Sequence, residues 1–257
     1  MTRSRSLLLG TALALAALGA RAETTLHFVQ GVPASTFDVY VGDAQPVVRD
    51  AAFTSISSFA APPADTLAVR VFPAGADPAT TAPVLSLDAL ALEDGASVSL
   101  VAHLGAAGEL LLTPFVDDLS PPPPTESRIV VRHVAQAPLL DVVLNGRLLA
   151  TLSSPGSAQR DVAGKFQTLT LAASEGRQPS LGPVYLKPEP GTVLVVYAVG
   201  AVDRPAPAGE ADPSPEPNPL TGRGSRLGDR WRRSAGIATS DPAASFTLLR
   251  QKLDAER

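Results

Sequence analysis

The sequence predicts an all-β protein made of two tandem antiparallel β-sandwich domains of immunoglobulin-like type. Three observations predict it. A run of strand-like segments occurs twice in the same order. Those segments alternate apolar and polar residues, as a strand with one buried face requires. The 257 residues include 25 prolines and 20 glycines, which break helix interiors and supply turns. Hydrophobic residues make up 45 % of the chain and aromatics only 5 %, so the expected cores are built of Ala, Val and Leu.

Residues 1–22 read as a secretory signal peptide. Arg3 and Arg5 precede an apolar run from Leu7 to Ala20, and Ala20-Arg21-Ala22 supplies a small-x-small cleavage pattern. The run is shorter than the ~20 residues that span a bilayer. The expected location is secreted or periplasmic after cleavage near Ala22. Cleavage removes three of the 21 basic residues and none of the 25 acidic ones, leaving a formal charge of −7. An acidic chain of this kind is a poor partner for nucleic acid. No further apolar run reaches spanning length, so no transmembrane segment is expected in the mature chain. Cysteine is absent, which excludes disulfides, thiolate metal sites and cysteine nucleophiles.

The first sandwich is placed at residues 23–118 and the second at 128–202. Leu26 to Gly42 and Ile129 to Gly146 share an apolar strand, a short Pro-containing loop, an Asp-Val pair and a Gly turn. Asp38 corresponds to Asp141. Thr66–Gly75 matches Phe166–Ala173, and the closing strands after Gly95 and Gly191 match each other. Asn145-Gly146 between two apolar runs is the strongest hairpin signal, since this pair suits a type I′ turn. Prolines within residues 82–92 and 181–190 belong at edges or in loops. The four prolines at 121–124 mark a stiff linker at 119–127.

Beyond Val202 the composition shifts. Residues 203–242 read as a disordered Pro/Arg-rich C-terminal tail. It contains Arg230, Trp231, Arg232 and Arg233, and Trp231 is the only tryptophan. Residues 243–257 are predicted as a short amphipathic helix. Asp241-Pro242 supplies its start signal, and Phe246, Leu249 and Leu253 share a face.

The repeat resembles the exported bacterial family known as domain of unknown function 4397. The resemblance rests on residues 28–41 with Asp38 and Tyr40, on Val131-Arg-His-Val and Pro138–Gly146, and on Pro63–Gly75. It covers residues 24–202 and implies tandem copies in an exported protein. The family pattern favours a His ahead of the loop before Asp-Val. His133 fits that place, and Gln30 stands there in the first copy.

Motifs that carry chemistry are missing. No Gly-x-Ser-x-Gly elbow, P-loop, dinucleotide fingerprint, His-Glu-x-x-His or EF-hand loop occurs. The histidines are His27, His103 and His133, on strands that do not bring them together, so no imidazole metal site is expected. The acid pairs Glu93-Asp94 and Asp117-Asp118 fall in turn or linker context, where solvation is the default. No catalytic residue, metal ligand or cofactor is assigned. The candidate binding residues are Asp38, Asp141, His133, Arg230, Trp231, Arg232 and Arg233. For the two aspartates, the favoured reading is structural: each binds backbone N–H groups of the loop before its strand. One carboxylate is far from the six to eight oxygens that Ca²⁺ takes. The Arg/Trp cluster could dock an envelope or extracellular protein, or an anionic surface.

The expectation is therefore a non-enzymatic exported binding or structural module of the cell envelope. The alternative is a small-molecule or glycan-binding protein using the inter-domain cleft, with a hydrolase third. Tyr40, Tyr185 and Tyr197 are expected to face the cores, which weakens a sugar platform.

Overall fold

The structure, a computed structural model, describes residues 22–42, 45–174, 180–202 and 246–255. Residues 1–21, most of the expected signal peptide, and residues 203–245 lie outside the described residues. The first unit consists of β1 (Thr25–Gln30), β2 (Thr36–Val41), β3 (Pro46–Ala52), β4 (Ile56–Ala60), β5 (Thr66–Pro73), β6 (Leu85–Ala91), β7 (Ser97–Leu104) and β8 (Leu110–Val116). The second consists of β9 (Glu126–His133), β10 (Leu140–Leu144), β11 (Arg147–Leu152), β12 (Gly156–Ala163), β13 (Gln167–Ala173), β14 (Ser180–Leu186), β15 (Thr192–Gly200) and β16 (Phe246–Asp254).

The sheet orders are β4-β1-β7-β8 and β3-β2-β5-β6 in the first unit, and β12-β9-β15-β16 and β11-β10-β13-β14 in the second. Adding eight to each strand number converts one unit into the other. Both units also contain one parallel pair, β1 with β7 and β9 with β15, among otherwise antiparallel ladders. The predicted hairpin joins β10 and β11, with positive φ at both Asn145 (52°) and Gly146 (73°). Pro183 lies in β14, an edge strand, and needs no partner there.

Alternation sorts the side chains into three cores. Leu26, Phe28, Leu100 and Ala102 face Val39, Val69 and Val71 inside the first sandwich. Ile129, Val131, Val196 and Ala198 face Leu140, Val142 and Leu169 inside the second. The opposite faces of β1, β7, β9 and β15 meet each other: Val29 and Val101 from one unit, and Val130, Val193, Val195, Tyr197 and Val199 from the other. The two sandwiches are thus stacked through one face each. Both inner sheets are covered on both sides, so their central strands read as nearly continuous apolar runs. Gly31 sits at this seam: a Cβ there would lie 2.9 Å from the Ala102 carbonyl and 3.0 Å from Val199. Its carbonyl accepts from the Gly200 N–H across the junction at 3.1 Å.

The expected C-terminal helix is a strand. β16 pairs along its whole length with β15, from Thr192 opposite Asp254 to Gly200 opposite Phe246. Leu249, Gln251 and Leu253 are buried while Arg250, Lys252 and Asp254 are exposed, a period of two. Without β16, β15 would leave a row of backbone donors and acceptors open at a sheet edge. Helix propensity differences of only ~0–0.7 kcal/mol per residue do not compete with a complete ladder and a buried face. The second unit accordingly extends past 202, and residues 203–245 connect two adjacent strands rather than trailing from the domain. β9 also starts at Glu126, two residues before the expected boundary.

Replacing Leu253 by Ala should lower the stability of the chain by about 2–5 kcal/mol in urea unfolding. An end that projected as a solvated helix would lose less than ~0.5 kcal/mol.

Candidate functional site

Asp38 lies on the outer face of β2 and is 3 % exposed. Its Oδ1 accepts from the backbone N–H of Asp50 at 2.8 Å, and its Oδ2 from that of Gly75 at 2.9 Å. Asp50 is a non-glycine residue at φ 52° in β3, beside a register shift between β2 and β3. The carboxylate therefore holds a strained bulge on one side and the exit of β5 on the other. The anchored amides belong to the neighbouring strands, not to the preceding loop as expected. Asp141 does the same work with hydroxyls: Thr151 Oγ1 donates at 2.6 Å and Ser174 Oγ at 2.7 Å. These two donors, Thr151 first, hold its carboxyl below the usual carboxylate range.

His133 and Gln30 occupy equivalent places at the ends of β9 and β1 and form the same pair of bonds. Gln30 Oε1 accepts from Val32 N–H at 3.0 Å, and its Nε2 donates to the Ser35 carbonyl at 3.0 Å. His133 Nδ1 accepts from Ala135 N–H at 3.4 Å, and its Nε2 donates to the Pro138 carbonyl at 3.1 Å. Each side chain accepts from the residue two ahead and donates to the residue five ahead. A neutral imidazole with its proton on Nε2 is here a stand-in for a primary amide. Burial holds His133 below its ordinary value of 6.5, which keeps that tautomer neutral.

The seam between the units contains the polar cluster that sequence reasoning missed. Arg132 on β9 forms an ion pair with Asp117, just beyond β8, at 2.7 Å, with both side chains almost wholly buried. Asp117 also accepts from Ser97 Oγ at 2.8 Å and Ser99 Oγ at 3.0 Å. Arg132 donates to the Tyr197 hydroxyl at 3.1 Å. That hydroxyl lies 2.9 Å from Ser99 Oγ and 2.8 Å from Gln251 Oε1. The guanidinium stacks 4.7 Å over Phe115 and 5.5 Å over Tyr197. Burial pushes the Tyr197 phenol up to about 12. Asp117 was expected to be solvated. Its neighbour Asp118, with 44 % of its side chain exposed, fits that expectation better, yet it pairs with Arg128 at 2.6 Å. The available signal was Arg132 itself, an arginine inside the apolar strand Ile-Val-Val-Arg-His-Val.

His27 extends this cluster to the surface. Its Nε2 lies 3.1 Å from Ser97 Oγ and its Nδ1 2.7 Å from Ser58 Oγ on edge strand β4. The Asp117 carboxylate reaches this imidazole only through Ser97, and its charge is already met by Arg132. In a nucleophilic triad, by contrast, the acid bonds the histidine directly. His103 is held by the Leu104 carbonyl at 3.1 Å and Thr113 Oγ1 at 2.8 Å. Burial lowers the pKa of His27 and His103 as well. Among the described residues, no three His, Cys, Asp or Glu side chains converge as metal ligands. No helix there is long and apolar enough to cross a membrane.

The structure does not bring the candidate residues together. Asp38 and His133 belong to different units, and Asp141 lies on an outer sheet. Arg230, Trp231, Arg232 and Arg233 fall outside the described residues. Of the tyrosines, only Tyr197 faces a core. Tyr185 is 60 % exposed, and Tyr40 lies half-buried on an outer sheet face. Two of the cavities among the described residues lie between the units. One of about 220 Å³ is lined by His27, Ser97 and Leu253, and one of about 120 Å³ by Asp117, Arg132 and Gln159.

Two substitutions separate anchoring from ligand binding. Asp38→Ala leaves two backbone N–H groups without their acceptor and should cost about 1–3 kcal/mol in chemical unfolding; a residue kept only for a ligand would leave stability unchanged. For His133, the unfolded chain binds the proton more readily than the folded one. Stability should therefore fall as pH drops below 6.5 and level off below the lowered folded value. His133→Gln, copying Gln30, should fold and show a shallower fall in Tm between pH 7.5 and 5. An unchanged pH profile would assign the dependence to His27 and His103.

Residues 24–143 match the family model described as domain of unknown function DUF4397. The matched span covers all eight strands of the first unit, the Pro-rich connection, β9 and most of β10. Comparison with curated proteins finds no match. The recognised segments around Asp38, Tyr40 and Gly75 are the ones the Asp38 carboxylate ties together, and it is over residues 24–143 that the chain matches the DUF4397 family model.

Proposed function

We propose that this protein is a non-enzymatic exported module of the cell envelope, in which two sandwiches stacked as one unit act as a binding or structural platform. The supporting observation is the seam. A continuous apolar core and a buried ion pair join the two units, so that loops and outer sheet faces keep a fixed relation to one another. A platform needs such rigidity. The histidines and the paired aspartates take part in holding strands and loops, which gives each of them a structural role. Export and cleavage near Ala22 complete the reading, which places the platform in the periplasm or outside the cell.

The inter-domain cleft reading is less well supported. The cavities described between the units, about 220 and 120 Å³, fall below the roughly 300–1,000 Å³ typical of small-molecule sites. A partner protein or anionic surface reached through Arg230, Trp231, Arg232 and Arg233 remains part of the proposal.

The test must leave β16 in place. Gly200 and Phe246 pair directly, so a two-residue Asn-Gly turn replacing residues 203–243 would close β15 onto β16 in register as a hairpin. The full mature chain and this shortened chain are used to capture partners from envelope extracts of the source organism. The expectation is specific capture by the full chain. Loss of it in the shortened chain assigns binding to the Arg/Trp connection, and retention assigns it to the sandwiches. Mature chain found only in the cytoplasm with residues 1–22 still attached would defeat the envelope reading.

A further inference from the structure

We propose that the outer face of the first sandwich carries a binding site for a uronic acid unit of an acidic polysaccharide, seated on Tyr40, Arg70 and Phe72. The inference rests on the platform reading and names the ligand class of one of its faces. Tyr40 on β2 stands directly opposite Arg70 on β5, and Phe72 stands opposite Asp38. Side chains two apart on a strand share a face, so all three project from the outer side of sheet β3-β2-β5-β6. The connection of residues 74–84 folds over that face and sets Pro78 and Pro83 against it. Together they border a half-open cleft of about 580 Å³, within the usual range for small-ligand sites.

The walls are preorganised. Asp77 Oδ1 accepts from Ala79 N–H at 2.9 Å. The Asp77 carbonyl accepts from Thr80 N–H at 3.1 Å and Thr81 N–H at 2.9 Å. The Asp38 carboxylate fixes Gly75 at the start of the same connection. Tyr40 and Phe72 meet edge to face, with centroids 5.2 Å apart and planes at 77°. Phe72, 3 % exposed, backs the half-buried Tyr40; the Tyr40 ring is the one that can meet the C–H face of a sugar, and the planar guanidinium of Arg70 matches a carboxylate in a two-pronged fork. Among the described residues the Arg70 guanidinium has no hydrogen-bond or ion-pair partner, although the chain holds 25 acidic residues to 21 basic ones. An unpaired cation beside an aromatic wall in an acidic protein selects an anionic ligand with an apolar face. The pocket is an open cleft bordered on one side by the loop, so a sugar unit within a chain can reach it.

The second unit supplies an internal control. At the positions equivalent to Tyr40, Arg70 and Phe72 it has Val143, Thr170 and Ala172. Its connection after β13 spans only residues 174–179, against 74–84 in the first unit. The outer sheet face therefore needs neither the aromatics, the arginine nor the long loop in order to fold. The first unit has all three in one place.

The experiment is titration of the mature chain with trigalacturonate, with maltotriose as the neutral control, by calorimetry or NMR. The expected result is binding of the acidic trisaccharide with at least about tenfold preference over the neutral one, the worth of one charge-assisted contact. Arg70→Thr should abolish that preference, and Tyr40→Val should weaken both saccharides. Each variant installs the residue of the second unit, and an unchanged Tm shows that its fold is intact. Equal binding of the two saccharides, undiminished binding in Arg70→Thr, or binding of an acidic proline-rich peptide in place of the uronate would overturn the proposal. If the trisaccharide does not bind while the chain still captures an envelope partner, the uronate site fails and the platform reading stands. If neither occurs, both fail.

Discussion

The arrangement of the whole molecule depends on the ion pair between Arg132 and Asp117. These residues come from different units, and their side chains are 3 % and 1 % exposed. Burying two charges carries a desolvation cost of several kcal/mol per ion, which mutual attraction offsets only when further hydrogen bonds complete the coordination. Here Ser97, Ser99 and Tyr197 supply most of them, while Arg132 Nε stays buried without a partner among the described residues. Removing one partner of such a pair generally costs about 3–5 kcal/mol, because the other charge is left buried alone. The pair is thus a condition on assembly. Sliding or separation of the units would strand a charge in an apolar seam, so only the registered arrangement is tolerated. The valines around it supply area, and the ion pair supplies position.

The repeat shows which parts of the fold are constrained and which are free. At the end of the first strand of each unit, the chemistry is kept while the residue changes. Gln30 and His133 both accept from one backbone N–H and donate to one carbonyl. The aspartate of the second strand is kept, while its donors change from buried amides to hydroxyls. The constraint is a hydrogen-bond pattern that ties three strands together, and it can be met in more than one way. The outer faces carry no such constraint. There the two units differ in size, charge and loop length, which is where separate roles can arise without disturbing either core.

Much of this was legible in the sequence because it is local. The alternating strands, the Asn145-Gly146 hairpin and the order of the repeat are each written within a few residues. β16 was not legible, because Phe246, Leu249 and Leu253 fit a helical face as well as a strand, and the strand that decides the matter lies more than forty residues earlier in the chain. Asp117 was misread for a related reason. Next to Asp118 and a run of prolines it looks solvated, and only the second unit, supplying Arg132, makes it a core residue. His133 was found by its place in the family pattern. Its role became plain only beside Gln30.

The direction of these errors is itself informative. Asp117, misread as solvated, and the buried side chains of β16, misread as part of a helix, lie at the seam. A sequence pattern for an isolated sandwich assigns one face of each sheet to a core and the other to solvent. The central strands of the inner sheets here have no solvent face. The polar residues placed on those faces, Ser97, Ser99, Arg132 and Gln251, would be ordinary surface residues on a lone domain. Stacked, they must satisfy one another, and a seam built of mutually dependent polar groups joins these two units in preference to arbitrary copies. The tandem arrangement is therefore a single structural unit, and a second sandwich is what makes the polar face of the first one stable.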